Sequence, residues 1–325
     1  MKLKKVFGSS NRNITTIQWN LGLRCNYDCS FCGYNTHDLK SNHLSFEIMV
    51  NLLNKIKETY KDRESVDLII TGGEPTLNPN FLNLLKYIKE EIHIIKDICI
   101  NTNGSASVKK YIEISKLVKT IVFSWQIEHI NPNHLKKVLM SLKKCNVNFH
   151  VNVPVLPGLL DQIKENAKWL KDNNIKFIFR KIHPMYKDNS YNMPFESGFN
   201  ANISKPKNLK SNYYSDKELD FLNNINKMNH KNNIILQTED NKEIFTNVNM
   251  LFSKNLNSFV NWKCNAGLET LYIHNDENIY RGNCMFGGSL GNIKNKFTLS
   301  SEPIICGKEK CNCAADLFTT KWKEI

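Results

Sequence analysis

Arginine is scarce in this chain. Only Arg12, Arg24, Arg63, Arg180 and Arg281 stand among 44 basic residues, set against 31 acidic ones for a formal net charge of +13. Arginine dominates base-edge reading and bidentate phosphate contact. A positive charge carried by lysines spread along every helix therefore reads as a solvated surface, and nucleic acid is not the expected partner. Long apolar runs are missing as well: no stretch of about 18 such residues occurs, and no secretory h-region follows Met1-Lys2-Leu3-Lys4-Lys5. Membrane insertion and export are both excluded on that reading, which places the chain in the cytoplasm. Without export the ten cysteines are not a disulfide framework, and their clustering marks them as metal ligands. Residues 1–14 are basic and polar and read as a short arm. No folded unit of useful size fits ahead of the first cysteines. At 325 residues and 41% hydrophobic the chain is long and apolar enough for one large domain or two ordinary ones, and it is not disordered.

Cys25, Cys29 and Cys32 fall within eight residues at spacing C-x3-C-x2-C. A short loop can point three such thiols at one site. A mononuclear zinc site wants four protein ligands, or three and a water. Iron–sulfur clusters also take soft thiolates, usually four of them. Three thiols on a four-iron cluster leave one iron open for chemistry, while a structural zinc knuckle is the plainer alternative.

Hydrophobic periodicity downstream alternates between two periods. Strands are expected at 15–22, 66–71, 95–101, 120–125, 147–153 and 175–180, with helices at about 46–60, 78–92, 108–118, 131–144 and 162–171. Asn78-Pro79 and Asn131-Pro132 each supply an N-cap followed by a first-turn proline. Six strand–helix alternations with short connections predict parallel βα units. Several of these strands have one polar face: Gln18 and Asn20, then Ser124, Gln126 and Glu128, then Asn148, His150 and Asn152. Strands buried on both faces are apolar throughout. The polar faces either line an open, wet lumen or meet solvent at a sheet edge. Gly72-Gly73-Glu74-Pro75 follows the second strand directly, where glycines permit close approach of a ligand and a carboxylate can accept from an ammonium group.

The C-x3-C-x-aromatic-C loop, with Phe31 as the aromatic, resembles that of the radical S-adenosylmethionine enzymes, and the Gly-Gly-Glu-Pro segment one strand later strengthens the likeness. The resemblance covers roughly residues 15–182. It implies an α/β partial (β/α)6 barrel over residues 1–184, holding its cofactors in the lumen. It implies a 4Fe-4S cluster on Cys25, Cys29 and Cys32, with S-adenosylmethionine chelating the open iron and cleaved to a 5′-deoxyadenosyl radical that abstracts a substrate hydrogen. By the same likeness Gly72, Gly73 and Glu74 hold the amino group of the methionine moiety. Asn103, Ser124 and Asn152 are expected either as polar contacts to methionine or ribose or in structural turns.

Residues 185–215, with Pro194, Gly198 and Pro206, lack periodicity and read as a loop or linker. Ser215-Asp216-Lys217-Glu218 is a capping box that opens a helix to about Met228. Residues 233–238 and 244–247 read as a hairpin. A second hairpin between Cys264 and Cys284 precedes Cys306-x4-Cys311-x-Cys313. Five thiols complete one four-cysteine site with one to spare. Residues 216–325, a smaller cysteine-rich α+β extension, resemble the twitch domain, the shortened SPASM domain of the same superfamily. That likeness implies one auxiliary 4Fe-4S cluster; zinc is the alternative. Two departures stand out. Asp276-Glu277-Asn278 replaces the usual Asp-Gly at the hairpin turn, and C-x4-C-x-C replaces a longer cysteine run.

Among single residues, Glu128 with His129 reads as an acid–base or substrate-orienting pair or as a surface pair. His150 and Arg180 are candidates for a substrate carboxylate or phosphate. His37-Asp38 caps the cluster loop or touches substrate. Cys99 reads as a small buried residue, and Cys145 as a hydrogen donor or a bystander at a helix end. The expectation is therefore a radical enzyme supplied by a reducing donor such as flavodoxin or ferredoxin. Its substrate is a ribosomally made peptide or a small molecule such as a sugar or cyclitol, with nucleotide modification a third reading. A metal-stabilised binding or redox-sensing protein is the non-enzyme alternative. If the lysines are plain surface, no binding to nucleic acid survives about 0.2 M salt, as a filter-binding titration across salt concentrations would read out.

Overall fold

The computed structural model describes residues 2–8, 14–32, 37–182, 214–225, 233–295, 297–311 and 313–324. The expected linker at 185–215, apart from its last two residues, lies outside the described residues. The first strand, β1 (Leu3–Gly8), precedes a regular alternation: β2 (Ile14–Asn20), α1 (Phe46–Thr59), β3 (Ser65–Thr71), α2 (Phe81–Glu91), β4 (Ile95–Thr102), α3 (Val108–Ser115), β5 (Thr120–Ser124), α4 (Pro132–Leu142), β6 (Asn148–Val155), α5 (Leu160–Asp172) and β7 (Phe177–Lys181). The six strands β2 to β7 pair in chain order and in parallel, forming the partial barrel. Right-handed strand–helix–strand crossovers put the helices on one face of such a sheet. The apolar strand residues meet them there: Ile17, Trp19, Leu68, Ile70, Ile100, Phe123 and Val151 are fully buried. The opposite face carries Gln18, Ser124, His150 and Asn152, and all four line one cavity. The polar faces thus line a lumen, as one of the two sequence readings had it.

Helix starts follow local chemistry. The Asn131 side chain accepts from the backbone N–H of Asn133 and His134 ahead of Pro132. The Asn78-Pro79 signal misplaces its helix, however. Asn78 ends a 3-10 turn (Pro75–Leu77), its Oδ1 accepts from Asn80 N at 2.9 Å, and α2 begins only at Phe81. The Ser215–Glu218 capping box forms, with Ser215 N donating to Glu218 Oε2 at 2.8 Å, and it opens α6 (Asp216–Ile225). Glu218 also accepts from Gly158 N at 2.6 Å, which ties this helix to the loop after β6.

The remaining chain contributes β8 (Ile234–Thr238), β9 (Glu243–Thr246), α7 (Val248–Ser253), β10 (Lys263–Cys264), β11 (Thr270–Ile273), β12 (Asn278–Tyr280), β13 (Ser289–Asn292), β14 (Ile304–Ile305), α8 (Ala314–Phe318) and β15 (Lys321–Trp322). Two findings depart from the sequence reading. The expected N-terminal arm is instead a strand: β1 lies between β15 and β8 in a second sheet ordered β14-β10-β15-β1-β8-β9. Val6, wholly buried, packs in the apolar cluster that includes Cys306 and Cys311. The cysteine hairpin also does not stand apart. Its first strand β11 pairs in parallel with β2 and extends the barrel sheet, so that Leu271 lies opposite Ile17. At the tip of that hairpin Glu277 takes φ +69°, the left-handed conformation that glycine adopts without strain.

No helix among the described residues is long and apolar enough to cross a membrane. Placing a charge in the β1 strand should separate the two sheets' fates. Val6→Asp is expected to destabilise the fold by roughly 3 kcal/mol or more, read as a lower urea midpoint, with the second sheet opening first.

Candidate functional site

Leu21 to Cys32 leave the end of β2 as a loop, and the segment after β3 is laid directly against it. Gly73 N donates to Gly22 O and Glu74 N to Arg24 O, both at 2.8 Å. A Cβ on Gly73 would stand 2.3 Å from Leu23 O and 2.4 Å from Arg24 O, both immobile backbone atoms. The glycines are therefore required by the cysteine loop itself, a closer neighbour than any ligand. On its far side the loop is closed by Asp38, whose carbonyl accepts from Cys25 N at 2.7 Å. The Asp38 carboxylate accepts from Lys40 N and Ser41 N. His37 Nε2 lies 3.0 Å from Asp28 Oδ1, within the loop.

The Glu74 side chain is held by the protein's own donors. It is 2% exposed and its carboxylate accepts from Thr76 N (3.0 Å), Thr76 Oγ1 (2.6 Å), Thr102 Oγ1 (2.8 Å) and Asn103 N (2.6 Å). Three of these donors fall on Oε1 and one on Oε2, which keeps acceptor capacity of its own. Burial pushes this carboxyl up from its ordinary range, and the same donors pull the other way. Asn103 is likewise committed. Its Nδ2 donates to Asn26 Oδ1 at 2.9 Å and reaches Cys25 Sγ at 3.7 Å, so the amide is a neighbour of the sulfur as well as of the cavity. Thr76 and Thr102, which complete this arrangement, were not singled out by sequence reasoning. The available signal was their place beside the Glu74 and Asn103 motifs.

Cys25, Cys29 and Cys32 all line the mouth of the lumen. Burial pushes the Cys25 and Cys29 thiols up from the ordinary thiol range, and the neighbouring thiols push further. The site accordingly favours neutral thiols until a cationic group takes them. Four thiolates around one zinc ion sit about 3.8 Å apart, from Zn–S bonds of about 2.3 Å. Among the described residues, neither cysteine set draws three sulfurs within 4.8 Å of one another. Soft thiolate donors suit an iron–sulfur cluster.

Glu128 and His129 sit on the cysteine loop. Glu128 Oε2 accepts from Ser30 N at 2.9 Å, and the His129 ring stacks on Tyr27 with centroids 5.4 Å apart. Glu128 thus braces the loop, and a carboxylate oxygen of it lies within 4.8 Å of ligand atoms of Cys29 and His129. His150 and Arg180 do face the cavity, whose volume is about 1030 Å³. Arg180 Nε donates to Asn152 Oδ1 at 3.0 Å, and burial with the nearby Arg180 and Lys176 charges lowers the His150 pKa. Cys99, expected as a buried filler, lines the same cavity. Cys145 does not, and its Sγ donates to Ser141 O at 3.7 Å at the end of α4.

The C-terminal cysteines gather beyond the barrel edge. Cys264, Cys306 and Cys311 are buried. The charges of Cys264, Cys284, Cys306 and Cys311 act on one another. Cys284 N donates to Asp316 Oδ2 at 2.7 Å and Asn283 N to Asp316 Oδ1 at 3.0 Å. Cys313 differs by lining the large cavity, and burial pushes its thiol up to about 12.

Residues 19–197 match the Radical SAM superfamily profile. Similar curated proteins include a probable GTP 3′,8-cyclase of Sulfurisphaera tokodaii, 29% identical over 188 residues, which are 58% of this chain and 54% of that protein. The GTP 3′,8-cyclase of Pasteurella multocida is 33% identical over 85 residues, 26% of this chain and 25% of that protein. The chain spans about half the length, or less, of the curated relatives it matches. Among solved structures, native anSMEcpe with bound AdoMet superposes with a TM-score of 0.55 at 16% identity, over 87% of this chain and 79% of that one. The same protein with AdoMet and the Cp18Cys peptide gives 0.56 at 16% identity, over 87% and 78%. At that identity the likeness is one of fold.

The role of Glu74 is open to direct measurement. Glu74→Gln is expected to destabilise the fold by about 1–3 kcal/mol in urea denaturation, because one or more buried donors lose their acceptor. A variant with unchanged stability that only weakens cofactor binding would return the side chain to the ammonium-binding role.

Proposed function

The chain belongs to the radical SAM superfamily, and on that footing we propose that it abstracts a hydrogen atom from a polar substrate held in the lumen, in the maturation of a peptide. The observation that carries the reading is the three-thiol loop, clamped by Gly73 and Glu74 at the mouth of a lumen lined with polar side chains. A 4Fe-4S cluster on Cys25, Cys29 and Cys32 would supply the electron that cleaves S-adenosylmethionine to a 5′-deoxyadenosyl radical. The protein's share is positioning. Gly72 and Gly73 offer backbone at the cavity wall beside the cysteines, where the methionine moiety would lie. Ser124 and Asn152 offer polar contacts deeper in, and His150 and Arg180 suit a substrate carboxylate. Cys264, Cys284, Cys306 and Cys311 would hold one auxiliary cluster, with Cys313 left facing the cavity. A volume of about 1030 Å³ lies at the top of the range for small-molecule sites and leaves room for the cofactor beside part of a larger substrate. A reducing donor such as flavodoxin or ferredoxin and a cytoplasmic setting belong to the same proposal.

Nucleotide modification is the second reading. It is favoured by the GTP 3′,8-cyclases among the similar proteins and by the cationic Arg180 and Lys181 at the lumen wall.

Anaerobic reconstitution and reduction with S-adenosylmethionine should yield 5′-deoxyadenosine, and Cys29→Ala should abolish it. A stimulated yield with a precursor peptide encoded beside the gene supports peptide maturation. Stimulation by GTP and not by the peptide would replace that reading with the second. About eight irons per chain are expected for two clusters. About four, with zinc in equal amount to protein, would remove the auxiliary cluster.

A further inference from the structure

One charged group near the C-terminal cysteines has no part in the site described so far. Lys321 is 2% exposed, and it lies on β15 directly across from Cys264 on β10. Its Nζ donates to the backbone carbonyls of Asp316 and of Thr319, the latter at 2.9 Å, and sits 5.2 Å from the centre of the Phe259 ring. The third N–H has no oxygen acceptor among the described residues. Lysine is almost never fully buried unless paired, because stripping an ammonium of water costs several kcal/mol. Two carbonyl dipoles and a ring face are weak compensation for a full charge. Asp316 is a buried anion on the preceding helix, yet both of its carboxylate oxygens are turned to Asn283 N and Cys284 N. The groups whose charges bear on Lys321 are Cys311, Cys264, Asp316 and Cys284. The lysine is therefore set beside three of the four thiols, Cys264, Cys284 and Cys311, where its counter-charge appears once those thiols are ligands.

We infer that Lys321 is a fixed counter-charge to the auxiliary cluster and raises that cluster's reduction potential. The inference rests on the auxiliary-cluster reading above. Four thiolates on a four-iron cluster leave a net negative group, and one-electron reduction makes it more negative by one charge. A buried ammonium in its immediate shell stabilises the reduced form more than the oxidised one, since net charge is among the main determinants of cluster potential. In a low-dielectric surround that preference is little screened. The same charge would let an electron leaving the lumen settle on the second cluster. Neither Asp316, which braces the Asn283–Cys284 turn, nor the surface lysines is placed to do this.

The test is a redox titration followed by electron paramagnetic resonance on the anaerobically reconstituted full chain, with iron and zinc counted in each preparation. Lys321→Met removes the charge at similar volume, and Lys321→Gln removes it while keeping hydrogen-bonding capacity. In whichever variant loads both clusters, the reduced-to-oxidised ratio of the auxiliary cluster at a fixed potential should fall at least tenfold, equivalent to 59 mV for one electron. The first cluster's ratio should be unchanged. A ratio within twofold of the parent in a fully loaded variant overturns the inference. So does failure of both variants to take up the second cluster when the parent does, since Lys321 would then serve assembly alone. An absent second cluster in the parent protein is a different outcome, which removes the auxiliary-cluster reading itself.

Discussion

A single buried carboxylate holds the catalytic end of the barrel together. Glu74 gathers donors from its own turn and from the end of β4, so two strand ends are fixed against each other through one side chain. Asn103, held by that carboxylate, passes the constraint on to Asn26 and the Cys25 sulfur. The backbone of Gly73 and Glu74 does the same for Gly22 and Arg24. A loop bearing three thiols is entropically expensive to order. Here it is pinned on three sides by rigid strand ends before any ligand arrives. Preorganisation of that kind lets cluster binding energy go into coordination and not into loop folding.

Much of this was legible in the residues, and what was not has identifiable causes. Period-two alternation in Val147–Val153 gave away the lumen face, because a strand can bury only every second residue against helices. Asn131-Pro132 marked its helix correctly, whereas Asn78-Pro79 did not. The difference is local: Glu74 first caps a 3-10 turn that uses up Pro75–Leu77, so Asn78 becomes an exit from one turn and not the entry to the next. Glu74 was attributed to ligand binding on the strength of its charge and place. The partners it has within the protein, Thr76 and Thr102, are ordinary residues whose convergence depends on the third dimension. β1 was missed because a segment with lysines at 2, 4 and 5 looks like a tail. Its buried side chains, Val6 and Phe7, are too few to register as a pattern, and the segment becomes a strand only through β8 and β15.

The two cysteine sites share one scaffold. β11 joins β2 in the barrel sheet, and β10, its immediate predecessor, joins β15 and β14 in the other. The segment from Cys264 to Thr270 thus crosses from one sheet to the next, and Gly267 N donates to the carbonyls of Thr270 and Arg281 on the way. The spacing between the sites is set by strand pairing, which is stiffer than a linker. The two cysteine sets held in this way keep a constant separation, which a flexible linker between domains would not provide.

The pairing of β1 also has a consequence for how the molecule is made. Its hydrogen-bonding partners, Ile234–Thr238 and Lys321–Trp322, are translated long after it. The ribosome therefore releases the whole barrel, with its first cysteine loop, while the second sheet still has an orphan strand and no closed cysteine pocket. Contacts so distant along the chain form slowly and leave an unpaired edge exposed in the meantime. Folding is thereby ordered: the first cysteine loop can form on a nascent chain, whereas the second set of cysteines must wait until β1 has met β8 and β15.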